Sequence, residues 1–97
     1  MKAYIIVDVT INDPSLYEEY KKLTPGSLVP FGGRFVVRGG ATETVEGNWQ
    51  PGRFVILEFP SREKAKEWWS SEEYSKAKSL RQRAAYTQMI LVDGIPD

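Results

Sequence analysis

The sequence predicts an α+β sandwich of βαββαβ order, a four-stranded antiparallel sheet with two helices on one face. Three observations predict it. Four short runs alternate with period two or are apolar throughout, at 2–11, 34–38, 53–59 and 86–92. Between the first pair of runs, and again between the last pair, apolar residues recur at helical spacing instead. Finally, 97 residues are one domain's worth of chain, read as a single domain over 1–97.

The first strand runs from Lys2 to Ile11. Ala3, Ile5, Val7, Val9 and Ile11 face one way, and Tyr4, Ile6, Asp8 and Thr10 the other. The second set is partly apolar too, as expected for a strand covered on both sides. Asn12-Asp13-Pro14 then opens a helix, with Asp13 as N-cap and Pro14 at the first helical position, where its missing N–H costs nothing. Leu16, Tyr17, Tyr20, Leu23, Leu28 and Phe31 continue one face. Pro25 cannot accept the helical bond pattern, so a kink or new turn is expected there. Gly32-Gly33 ends the segment.

Arg34 to Arg38 is the second strand. Gly39-Gly40 interrupts it, suggesting a bulge or a place where something approaches the backbone closely. The strand is expected to resume from Ala41 to Glu46, before the turn-rich loop 47–52. Arg53 to Phe59 (RFVILEF) is almost continuously apolar, which reads as a central strand buried on both faces. Pro60 stops it and Ser61 caps the next helix, whose apolar stripe is Ala65, Trp68 and Trp69. Ser70-x-x-Glu73 fits a capping box and predicts a break with re-initiation. Tyr74, Ala77, Leu80, Arg81 and Ala84 then share a face, and Tyr86 to Val92 is the last strand.

This order is the split-βαβ, ferredoxin-like arrangement. Two helices cover only one face of four strands, yet the first, third and fourth strands are apolar on both sides. Monomers rarely leave an apolar sheet of several hundred Å² open. A homodimer that packs the two bare faces together is therefore expected, and four Phe, five Tyr and three Trp supply aromatics enough for a core and an interface.

Composition narrows function by exclusion. Thirteen basic and thirteen acidic residues cancel and are interspersed, so neither a nucleic-acid footprint nor a membrane-surface helix is announced. Without Cys there is no disulfide, thiolate nucleophile or cysteine metal site, and without His the commonest base and metal ligand is missing. No metal and no cofactor are expected. No leader or spanning stretch is read in the chain, so a cytoplasmic location is expected.

DPSLYEEY at 13–20, FGGRFVVRGG at 31–40, EG at 46–47, FVILEFPS at 54–61, SSEEY at 70–74 and LR at 80–81 together carry a resemblance. In this order and spacing the chain resembles the family of domain of unknown function 1330, within the dimeric α/β-barrel superfamily. The resemblance implies the fold, a dimer and a pocket between sheet and helices. It implies no reaction. The superfamily includes cofactor-free monooxygenases, lactone isomerases, polyketide cyclases and haem enzymes, and fold analogy does not choose among them. Relatives that use a His find no counterpart in this chain.

Two residues are candidates for catalysis. Glu58 sits near the end of an apolar strand, where a carboxylate is costly unless paired. It reads as a ligand-binding or proton-transferring group, or as a structural partner of Arg38, the first choice, or of Arg34. Arg38 offers a planar fork for carboxylates beside two glycines that let a ligand approach. Tyr17, Tyr74, Arg81 and Trp69 are candidate ligand contacts in a pocket between sheet and helices. Arg81 either snorkels to solvent or supplies an anion site. The tyrosines, Tyr20 included, equally read as core residues with a wet tip. Trp68 and Trp69 cannot both face the core, and Trp49 reads as an interface anchor or a lid. The expected function is a cofactor-independent enzyme, of isomerase, cyclase or lyase type, acting on a small anionic organic molecule. A non-catalytic binding module or a dimeric scaffold is the alternative.

Overall fold

The computed structural model describes residues 1–97. Its elements are β1 (Ala3–Ile11), α1 (Pro14–Leu28) with a 3-10 turn Val29–Phe31, β2 (Arg34–Arg38), β3 (Arg53–Phe59), α2 (Arg62–Trp69), α3 (Glu72–Ala84) and β4 (Ala85–Asp93). The sheet order is β2-β3-β1-β4, with every pair antiparallel. This is the α+β, ferredoxin-like arrangement, with the helical layer in three pieces because the second helix is broken. No helix is long and apolar enough to cross a membrane.

The core follows from strand parity. Ala3, Ile5, Val7 and Val9 of β1 and Val55, Leu57 and Phe59 of β3 are buried beneath the helices. Tyr17 and Leu28 of α1, Trp68 of α2, and Tyr74, Ala77 and Ala84 of α3 close the layer from above. Trp68 is fully buried. It stacks on Tyr74 with centroids 3.9 Å apart and donates its indole N–H to Ser27 Oγ at 3.0 Å. Trp69, its neighbour, is 42% exposed, as a helix that can turn only one of the two inward requires.

Helix starts follow the expected chemistry. Asp13 Oδ1 accepts from Leu16 N, and Ser61 Oγ from Lys64 N. The break between α2 and α3 is present, but its cap is Ser71, which accepts from Tyr74 N at 3.1 Å, rather than Ser70. Pro25 does not start a new turn. α1 runs through it, and the Thr24 hydroxyl donates to the Tyr20 carbonyl at 2.9 Å. The Lys21 carbonyl, which Pro25 leaves without its helical N–H, instead receives the Arg38 guanidinium at 3.1 Å.

Two expectations about the middle of the chain are corrected. The irregularity in β2 falls between Phe35 and Val37, not at Gly39-Gly40. Nor does the strand resume at 41–46, because residues 39–52 form no strand or helix. Gly39, at φ 72°, turns the chain away while its N–H still donates to the Phe54 carbonyl. The loop returns through Gly52, where any Cβ would collide with the Val9 carbonyl oxygen. Asp8 pins this return, accepting from Gly52 N at 2.9 Å and from Trp49 Nε1 at 3.1 Å.

Candidate functional site

The bulge in β2 decides where the candidate charges go. Arg34 pairs with Glu58 on the helix-free face, whereas Arg38, one position out of phase after the bulge, pairs with Val55 on the helix side. Glu58 therefore does not meet Arg38. Its carboxylate bonds Arg34 Nε at 2.9 Å and lies 3.7 Å from Lys2 Nζ, and the Arg34 hydrogen bond holds it below the usual carboxylate range. The single pocket drawn around Tyr17, Arg38, Glu58, Tyr74 and Arg81 is thus split by the sheet. Glu58 lies on the far side, because β3 alternates and Glu58 is out of phase with buried Leu57 and Phe59.

On the helix side there are two cavities. The inner one, about 20 Å³, lies between α1 and the centre of the sheet and is bordered by Tyr17, Tyr20, Arg38 and Arg53. It has room for about one water molecule. Arg38 lies at its border, its guanidinium held by the Lys21 carbonyl and by the Phe35 ring, 4.3 Å from the guanidinium carbon. Arg53 lies 5.4 Å from the centre of the Tyr17 ring, and its Nε is buried with no hydrogen-bond partner. Burial pushes the Tyr17 phenol up to about 12, against the opposing pull of Arg53.

The outer cavity is an open cleft of about 610 Å³ between α2, α3 and β4. Ile5, Met89 and Leu91 form its floor, Ala65 and Trp69 a wall, and Arg81 and Thr87 its polar interior. Arg81 does not snorkel. It is 5% exposed, its Nε donates to the Tyr74 hydroxyl at 3.2 Å, and it joins no ion pair. The Thr87 hydroxyl is buried without a partner. No acidic residue lines either cavity.

Tyr74 connects the two spaces. A guanidinium N–H only donates, so the Tyr74 oxygen accepts from Arg81 and its own hydrogen is free for the Tyr20 oxygen, 3.1 Å away. Tyr20 in turn borders the inner cavity. Burial pushes the Tyr74 phenol strongly up, so it remains a neutral donor at physiological pH.

The structure thus brings Arg81 and Trp69 to the outer cleft, Tyr17 and Arg38 to the inner cavity, and Tyr74 between them. Tyr20, read from the sequence as a core residue with a wet tip, joins the site, and so do Arg53 and Thr87, which the sequence did not single out. Parity carried that signal: Arg53 is in phase with Val55 and Leu57, and Thr87 with Met89 and Leu91. No group of His, Cys, Asp or Glu residues is placed to hold a metal ion.

The family described as domain of unknown function DUF1330 matches residues 2–95. No curated protein matches. Among solved structures, the chain is similar to RPA0582, a protein of unknown function from Rhodopseudomonas palustris. Identity is 18%, coverage 99% of this chain and 84% of that one, and the TM-score 0.78. A dimeric ferredoxin-like protein of unknown function from Jannaschia sp. CCS1 aligns at 10% identity over 97% of this chain and 100% of that one, with TM-score 0.73. SnoaB, a cofactor-independent oxygenase from Streptomyces nogalater, aligns at 10% identity over 99% and 95%, with TM-score 0.68. At such identities the likeness is one of fold.

Proposed function

This chain belongs to the DUF1330 family, and we propose that it is a homodimer that binds a small anionic organic molecule and acts on it without a cofactor, as an isomerase, cyclase or lyase. The observation that carries the reading is Arg81. Arg81, a residue 5% exposed with no carboxylate partner, lines a cleft of about 610 Å³ whose lining contains no acid. Buried charges are normally paired, and a bound anion would supply the missing partner. The volume falls within the range of small-molecule sites.

An arginine donor suits a reaction that gathers negative charge on an oxygen, such as enolisation, because it stabilises that charge without changing protonation state. A cofactor-independent oxygenase with the same fold is in keeping with such chemistry. One observation favours a second reading, a binding module without turnover. Tyr74, the phenol in contact with Arg81, is held neutral by burial and cannot serve as a base. The dimer is supported by the helix-free face, where Tyr86 and Ile90 are 62% and 61% exposed.

A thermal-shift and native mass screen against small carboxylates, lactones and aromatic acids tests the reading. Ligands should stabilise the protein and lose that effect in Arg81→Met. Hits with an acidic C–H beside a carbonyl are then incubated in D2O. Exchange at that carbon, dependent on protein, marks the enzyme, and binding without exchange or product marks the module. Failure of every anion to bind overturns both.

A further inference from the structure

We propose that the outer cleft takes an aromatic carboxylate, with its carboxylate on the terminal nitrogens of Arg81 and its ring between Trp69 and the floor of β4. The inference rests on the anion-site reading above and narrows it to one chemical class.

The charged end is set by what Arg81 has left to give. Its Nε is committed to Tyr74, so the two terminal nitrogens remain, and they form no hydrogen bond within the chain. Those nitrogens present a planar pair of donors that matches the two oxygens of a carboxylate. A phosphate group would bring a third oxygen and more charge into the same place. The only other cation lining the cleft is Lys66, which is exposed at the rim. Desolvating a phosphate on one buried guanidinium would therefore leave an oxygen unmatched. The unpartnered Thr87 hydroxyl lines this interior too, as a further donor for a small inward adjustment of the ligand or its water.

The body is set by the walls. Ile5, Met89 and Leu91 below and Ala65 beside them offer no hydrogen bonds, so they favour an apolar body over a sugar or an amino acid. Trp69 makes that body flat. The residue is 42% exposed and lines the cleft, and the Lys78 ammonium lies 3.8 Å from the ring centroid. The same ammonium donates to the Trp69 carbonyl at 2.9 Å, which holds it against the indole. An indole and a methionine lining one cleft suit an aromatic ring, through stacking and sulfur contact. Ser70, Lys66 and Gln82 surround the mouth, where polar substituents on the far side of the ring would reach them.

The experiment compares 2-naphthoate, 2-naphthamide, octanoate and inorganic phosphate by calorimetry and by quenching of tryptophan fluorescence, at fixed ionic strength. Naphthoate should bind, with naphthamide and octanoate each about tenfold weaker or worse and phosphate without effect. Arg81→Met should weaken naphthoate by about tenfold or more. Because Arg81 is buried, Trp69→Ala at the exposed rim is the second variant, and it should weaken naphthoate while leaving octanoate unchanged. Octanoate or phosphate binding as tightly as naphthoate overturns the aromatic carboxylate but keeps the anion site. Naphthoate binding unaltered in folded Arg81→Met, or in Trp69→Ala, overturns the proposal. No binding by naphthoate, octanoate or phosphate and no hit in the wider screen removes the anion site itself.

Discussion

Pro25 has no N–H to offer the Lys21 carbonyl, and Arg38 supplies the donor from another element. That contact gives Arg38 a structural role, and it makes a specific prediction. Arg38→Ala should cost about 0.5–1.5 kcal/mol in the parent chain, the usual worth of such a bond. In a Pro25→Ala background the helix bonds Lys21 itself, so the same substitution should cost close to nothing. A double-mutant cycle by urea unfolding checks this, and additive costs would show that Arg38 does not serve the helix. Tyr17 gives a second residue-scale prediction. Its phenol is raised from 10.0 to about 12, so folding favours the neutral form. The sign follows: its contribution is complete below pH 10 and is lost as the pH rises towards about 12. Tyr17→Phe, which cannot ionise, should show a shallower fall in melting temperature across that alkaline window than the parent. Equal slopes would refute the assignment. Neither residue's surroundings were legible in the sequence alone. Pro25 led to the expectation of a kink or new turn, but not of a residue on the next strand meeting the Lys21 carbonyl.

The elements were legible wherever periodicity and caps agree, and illegible where one residue changes the phase. Asp13-Pro14 and Ser61 mark helix starts that the structure reproduces, and the four strands lie where alternation put them. In β2 the sequence RFVVR gives no sign that its ladder slips at Val36, yet that slip sends Arg34 and Arg38 to opposite faces. In β3 the opposite error arose. Its run is so apolar that parity looked irrelevant, although parity alone separates Glu58 from Leu57 and places Arg53 under the helices. The loop 41–46 carries β-branched residues, but Gly39 turns it off the ladder before they can pair. α1 packs mainly on α3, and Trp68 ties α2 to α1. Its indole nitrogen is satisfied by Ser27, which itself donates to the Thr24 carbonyl at 2.6 Å. Trp68→Ala should cost about 3–5 kcal/mol. Ser27→Ala should cost about 1–3 kcal/mol, by leaving a buried N–H without an acceptor. Chemical unfolding measures both, and a cost for Ser27→Ala below about 0.5 kcal/mol would show the bond contributes little.

At the scale of the whole molecule, the two faces of one sheet are unequally finished. The helix side holds the core and the inner and outer cavities described above, and a hollow of about 210 Å³ beside Trp49 and Ile6 marks the other face. On the other side Val37 aligns with Ile56, Ile56 with Ile6, and Ile6 with Ile90, an apolar row crossing all four strands. Polar groups flank the row. Arg34, Glu58 and Lys2 lie to one end, and Asp8 with Trp49 to the other. An apolar centre with a charged rim is the anatomy of an interface. The molecule measures 35 × 33 × 16 Å between its Cα extremes, so a broad face has room for the roughly 800 Å² per partner of a standard contact. A second copy is the occupant that needs no other component, because a two-fold axis lays each isoleucine row on its mate. Ile6→Lys places a charge at the middle of that row without touching the core beneath the helices. Each buried charge would cost the contact at least about 2–4 kcal/mol, a weakening of about 30- to 1,000-fold. Sedimentation of the parent should give a dimer at micromolar concentration, and of Ile6→Lys a monomer with the same far-ultraviolet dichroism. If the parent sediments as a monomer, or the variant as a dimer, the isoleucine row is not the interface. Because the outer cleft meets this row only at Ile90 and its other lining residues lie away from the row, a folded Ile6→Lys monomer should retain the affinity of its outer cleft. Loss of binding on dissociation would mean that the partner helps to form that site.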